Sequence, residues 1–243
     1  EEAADLRIQF QRIERLLEGL PGAPDLPIDV QAAILGVSPD RLAARLSTHA
    51  QQVSDAVHRV ADSPLADVVR EEYRGKTIVC FGDSITADRN SWAEVLMGVL
   101  APEARVLNRG RSGDTTGDLL SRFASGVAGS GADVVITMAG TNDARRYGIH
   151  RDSSVQFGSL AISDGDTATN IVQLDKMIAG ITGVPGIWLT PPPIDDARIR
   201  DHPSPRGAEL VWRTEDLDRK VSIIRRTLPN RPTATADAFA AAG

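Results

Sequence analysis

Apolar positions in the first part of the chain recur with a helical period. Leu6, Phe10, Ile13, Leu17 and Leu20 alternate gaps of four and three, which puts them on one stripe of a helix that Pro21 and Gly22 end. Leu42, Leu46, Val53, Val57 and Val60 keep the same spacing further on. Two helix starts share one signature, a serine N-cap followed by proline at the first helical position: Ser38-Pro39 and Ser63-Pro64. Residues 1–72 are therefore expected to be an all-helical N-terminal region. From about residue 75 the period shortens. Apolar runs at 76–81, 104–108, 133–140, 186–190 and 233–239 read as strands bounded by Gly, Asn and Asp. Amphipathic segments separate them, one opened by Ser91-Trp92-Ala93-Glu94, the pattern of a capping box.

Strand–helix alternation predicts an α/β domain over residues 75–243, a doubly wound parallel five-stranded sheet with helices on both faces. Runs such as Val134-Val135-Ile136 suit strands buried on both sides. Ligands of such sheets bind at the carboxyl ends of the strands, so the strand-to-helix loops are where chemistry is expected.

Composition narrows the classes. A net charge of −6 argues against electrostatic binding to nucleic acid or to an anionic membrane. Cys80 is the only cysteine, so no intrachain disulfide forms, and it is expected as a small buried apolar residue. No apolar run approaches the roughly 20 residues that cross a bilayer, and no basic-then-apolar leader opens the chain. The cytoplasm is the default location, although a start at Glu1 leaves room for a removed leader. Ala32–Leu46 has helix-turn-helix spacing, which would make a DNA-binding regulator; a tight helical hairpin at Gly36 explains it as well. Arg41 and Arg45 are the only cations on the second helix of that segment, so nucleic acid is not the expected partner. The apolar stripe of the first helix could pair with a copy of itself in a homodimer.

Three strand ends carry small and polar residues. The first bears Gly82-Asp83-Ser84, the second Asn108, Gly110 and Gly113, the third Gly140 to Asp143. A hydroxyl at a helix N-terminus is a candidate nucleophile. A glycine on the neighbouring loop lets a backbone N–H approach it closely. A side-chain amide on the third loop supplies another donor, and together they describe an oxyanion hole.

These residues resemble the SGNH, or GDSL, serine hydrolases. "FGDSIT" is similar to that family's nucleophile block, with Ser84 as nucleophile; "NRGRSGDTT" to its second, with Gly110 as backbone oxyanion donor; "GTNDARR" to its third, with Asn142 as side-chain donor. "WLTPPP" after the fourth strand is also familiar in bacterial members. The resemblance covers roughly residues 76–240. It implies a flavodoxin-like sheet and hydrolysis of acyl esters, of small molecules, carbohydrate or lipid, through an acyl-enzyme without metal or organic cofactor. It also implies a general base, a histidine in an Asp-x-x-His block after the last strand. The four histidines are His49, His58, His150 and His202. Only His202, in "DHPSPRGAEL", has similar surroundings, yet Asp201 is adjacent to it and a helix and a strand are still to come. Three readings stay open: a chain truncated at its C-terminus, His202 as base, or a catalytically incomplete binding module.

Other signals have plainer readings. The glycines of 126–133 precede a strand, so they are no dinucleotide fingerprint, and no P-loop or zinc spacing occurs. Asp195-Asp196 read as solvated charges, Asp114 and Asp143 as caps or loop anchors. Arg145 and Arg146 read as surface charge or, alternatively, as contacts for an anionic substrate group.

Overall fold

The computed structural model describes residues 2–17, 25–147, 158–184, 186–201 and 210–228. The chain divides into two compact units, residues 1–80 with 84–112 and residues 81–83 with 113–243. The first holds α1 (Glu2–Phe10), α2 (Ile28–Leu35), α3 (Pro39–Ala61), α4 (Pro64–Glu72), most of β1 (Thr77–Gly82), α5 (Ser84–Ala87), α6 (Trp92–Leu100) and β2 (Arg105–Gly110). The second holds α7 (Thr116–Ser121), a π-turn at Ala124–Ala128, β3 (Val134–Met138), β4 (Arg146–Tyr147), β5 (Ser159–Leu160), α8 (Asp164–Thr182), β6 (Ile187–Leu189), α9 (Asp196–Asp201) and α10 (Thr214–Thr227).

The sheet order is β2-β1-β3-β6, the flavodoxin order, and β3 pairs parallel with β6 so that Ile136 faces Ile187. Four strands make this sheet among the described residues; the fifth expected strand, 233–239, lies outside them. β1 is buried from Ile78 to Gly82, as a strand covered on both faces must be. β3 departs from that expectation, since Val134 and Ile136 are only half-buried and Val135, Thr137 and Met138 are buried. The antiparallel pair of β4 and β5, two residues each, is too short to leave a periodic trace in the sequence.

In the first unit, both serine–proline starts form as read. Ser38 accepts from Arg41 N at 3.3 Å and Ser63 from Ala66 N at 3.2 Å, opening α3 and α4. The Ala32–Leu46 segment is a hairpin of α2 and α3 turned at Gly36, whose φ of 69° is costly for a side-chain-bearing residue. Its Ala32, Leu35 and Leu42 form a buried cluster with Ile8, against which Ile13, Val37 and Leu46 pack. Full burial of a Leu or Ile side chain is worth about 1.5–3 kcal/mol. Arg41 and Arg45 both pair with Asp5 on α1.

The first helix differs from its expectation. It stops at Phe10, and its buried side chain is Ile8, off the Leu6–Phe10–Ile13 stripe. The cause lies far along the chain. Arg89 donates from Nε to the Ile8 carbonyl at 2.7 Å and from its backbone N to the Gln9 carbonyl at 3.2 Å, while Arg12 leaves helical geometry at ψ 66°. Donors that would have come from the next helical turn are replaced by one arginine.

In the second unit, Phe81 packs edge-on against Phe123 at 6.2 Å and leaves room only for a hydrogen at Gly126, where a Cβ would come within 2.6 Å of its ring. Ala144, Leu217 and Val221 form a smaller buried cluster that joins α10 to the loop after β3. Asp195 and Asp196 are more than solvated charges. Asp195 accepts from Ala197 N and Arg198 N to cap α9, and Asp196 accepts from Thr214 N at 2.8 Å at the start of α10. No described helix is long and apolar enough to cross a membrane.

Candidate active site

Ser84 is delivered by β1. It opens α5, a single turn closed by the Asp88 N–H on the Ser84 carbonyl at 2.8 Å, and it is half-buried. One turn holds few aligned peptides, so the helix dipole expected from the sequence contributes little here. The turn is held from outside instead. Asn108 Nδ2 donates to the Thr86 carbonyl at 2.7 Å and Arg12 Nε to the Ala87 carbonyl at 2.8 Å, which satisfies the last carbonyls of α5.

Gly110 ends β2 against that same turn. A Cβ on it would lie 2.3 Å from Ala87 N and 2.6 Å from Thr86 C, both backbone atoms, so only glycine fits. Its N–H donates to Asn108 Oδ1 at 2.9 Å. Ser91 caps α6 as the sequence predicts, accepting from Glu94 N at 3.3 Å, but the reciprocal half of the capping box is absent. Glu94 turns away to accept from Asn108 Nδ2 at 2.8 Å and to pair with Arg12 and Arg15.

Asn142 belongs to the second unit, after β3. It is buried and donates from Nδ2 to the Asp114 carbonyl at 3.0 Å, using one of the two hydrogens of its amide. Asp143, fully buried, anchors the loop beneath it as expected, accepting from Thr116 N at 2.8 Å, Thr116 Oγ1 at 2.6 Å and Thr167 Oγ1 at 2.8 Å. Lys220 is also fully buried; its Nζ donates to Thr167 Oγ1, the Ile162 carbonyl and Asp164. Arg122 pairs with Asp114, donates to the Gly82 carbonyl at 2.9 Å and stacks over Phe81 at 4.4 Å. It fixes the residue two places before Ser84. The sequence did not mark Arg122 or Lys220, because one is a lone cation just past the end of α7 and the other one polar position on the amphipathic α10.

The structure thus sets Gly110 on the turn that Ser84 opens, and places Asn142 in the other unit. His202 and His150 lie outside the described residues. His49 and His58 sit on α3, where their Nδ1 atoms meet Asn90 Oδ1 at 3.1 Å and the Ser54 carbonyl at 2.7 Å. Arg146 is no surface charge. It grips the fully buried Asp216 at 2.6 and 2.8 Å, and although burial alone would raise the Asp216 carboxyl, this guanidinium holds it below the usual range. Arg145 stacks on Tyr147 at 4.9 Å. Burial pushes the Cys80 thiol up to about 12, so it is the inert apolar residue expected.

The model of one protein family, described as GDSL-like Lipase/Acylhydrolase family, matches residues 80–226. No curated protein matches the chain. Among solved structures, it is similar to the lipase/acylhydrolase from Enterococcus faecalis, 26% identical over 68% of this chain and 77% of that one, with a TM-score of 0.48. It is also similar to LAE5, an alpha/beta hydrolase enzyme from the metagenome of Lake Arreo, Spain, at 21% identity, 69% and 79% coverage and a TM-score of 0.49. Axe2, an acetylxylan esterase from Geobacillus stearothermophilus, is 19% identical with 69% and 78% coverage and a TM-score of 0.47.

Proposed function

We propose, on the premise that the chain belongs to the GDSL-like lipase/acylhydrolase family, that it hydrolyses acyl esters with Ser84 as nucleophile. Ser84 Oγ attacks the ester carbonyl, the carbonyl oxygen takes up negative charge, and the alcohol leaves with a proton. Water then releases the acyl group from Ser84. The second hydrogen of the Asn142 amide and the Ser84 N–H are the donors for the oxyanion. The Gly110 N–H can join them only by sharing or leaving Asn108 Oδ1, so its first contribution is the close approach that a side chain would block. The base is not assigned; among the four histidines only His202 has surroundings similar to the family's block, and it is the one put to the test. In this reading residues 75–243 form the catalytic domain and residues 1–72 a helical appendage, and the substrate is an acyl ester of a small molecule, carbohydrate or lipid.

The observation that carries the reading is the family match, which opens at Cys80 and runs through all three strand-end loops. The test is labelling by a fluorophosphonate probe and turnover of short-chain nitrophenyl esters by the wild type, Ser84→Ala, Asn142→Ala and His202→Ala. Ser84→Ala loses labelling and turnover. Asn142→Ala lowers kcat about 10²–10³-fold, the usual loss of one oxyanion donor. Labelling that survives in Ser84→Ala rejects the nucleophile, and unchanged turnover in His202→Ala rejects that base.

A further inference from the structure

We infer that Arg12 and Arg15, which precede the family-matched residues 80–226, are positioning residues for the nucleophile turn and its glycine neighbour. The inference rests on the reading of Ser84 as nucleophile. A four-residue helix cannot hold its own geometry, and α5 draws support from Asn108 on the Thr86 carbonyl and Arg12 on the Ala87 carbonyl. Asn108 does two further things. Its Oδ1 accepts the Gly110 N–H, and its Nδ2 donates to Glu94 Oε1. An amide can sit either way round, and the partner on its nitrogen decides which. Here two groups that only accept, the Thr86 carbonyl and the Glu94 carboxylate, keep the Asn108 nitrogen on their side and leave the oxygen to Gly110.

Glu94 is itself held by the N-terminal segment. Arg12 Nη2 and Arg15 Nη2 both reach its Oε1, and Arg15 Nη1 donates to the Asn108 carbonyl at 2.6 Å. Arg12, Arg15 and Glu94 are each less than a quarter exposed, so removing one takes a counter-charge from partly buried groups. The segment is pinned in turn, since Arg89 pairs with Glu14 through both Nη atoms and Gln9 donates to Asp88. Two arginines from residues outside the family match therefore brace Asn108 through Glu94 and its own carbonyl, and α5 through the Ala87 carbonyl, and the Asn108 side chain ties Gly110 to the turn that begins at Ser84.

The experiment uses the full chain with Arg12→Ala, Arg15→Ala and Glu94→Gln, and with Arg12→Lys and Arg15→Lys as conservative partners. Amide hydrogen exchange at Gly110 is read by NMR against Val79 and Cys80 in β1, beside kcat and KM on p-nitrophenyl acetate. In the alanine variants and Glu94→Gln, exchange at Gly110 rises about tenfold or more while the β1 amides stay within about twofold. Their kcat falls about 10–100-fold with KM little changed, and the lysine variants recover part of it. Unchanged exchange at Gly110 overturns the inference, as does equal acceleration at Val79 and Cys80, which would mean general loosening. Should an alanine variant not fold, Glu94→Gln and the lysine variants give the same comparison. Failure of the nucleophile reading shows separately, as a wild type that the fluorophosphonate does not label, and the exchange result then still decides whether the arginines hold Gly110.

Discussion

At Gly110 the absence of a side chain is what lets two backbones meet. The backbone of Thr86 and Ala87 occupies the space a Cβ would need, at 2.3–2.7 Å, and backbone has no rotamer by which to yield. Gly110→Ala is expected to lower stability by about 1–3 kcal/mol and to displace α5; thermal unfolding and probe labelling measured on one preparation would show both effects. A second residue-scale expectation concerns Asp143. Removing its carboxylate in Asp143→Ala leaves the Thr116 N–H and two hydroxyls buried without an acceptor, each costing about 1–3 kcal/mol. A shift of the urea midpoint smaller than that of a surface control such as Asp55→Ala would count against the anchor. That Ser84, Gly110 and Asn142 lie at the ends of β1, β2 and β3 was readable in the sequence, because serine, glycine and asparagine mark strand-end turns. That the Gly110 N–H is committed to Asn108 was not, since it depends on which way one amide lies.

The elements whose limits were readable are those set by local chemistry. Ser38-Pro39 starts α3 and Gly36 ends α2, each through contacts within a few residues. Ser38→Ala is expected to cost about 1 kcal/mol, the usual value of an N-cap hydroxyl, visible as a lower urea midpoint with an unchanged slope. The elements misjudged are those decided at a distance. α1 ends where Arg89 takes its carbonyls, and the capping box of α6 opens because Asn108 and two arginines claim Glu94. Hydrophobic period carries no record of a partner some eighty residues away. The same limit hid the second life of Asp196, whose donor, the Thr214 N–H, sits at the start of a helix eighteen residues on.

On the scale of the whole molecule, several carboxylates are held below their ordinary range. Glu14 is one: burial works to raise it, and Arg89 more than compensates. Asp5, through Arg45 and Arg41, and Asp216, through Arg146 against the pull of burial, are others. Below their ordinary values, 4.5 for Glu and 3.8 for Asp, the unfolded chain binds protons that the folded chain does not. Stability is therefore fully present above 4.5 and declines as pH falls through the lower folded values. Tm followed across that range should be flat above it and drop below, with a shallower drop in Glu14→Gln. A Tm that keeps rising on acidification would contradict the assignment. The inert thiol of β1 has a practical consequence. Cys80 is the sole cysteine, wholly enclosed, with its thiol pushed up to about 12. Maleimide should leave the native protein unmodified at neutral pH and add once after unfolding in urea, a difference mass spectrometry reads directly. A dye or spin label can then be carried by one cysteine introduced on the surface, with the natural one left in place.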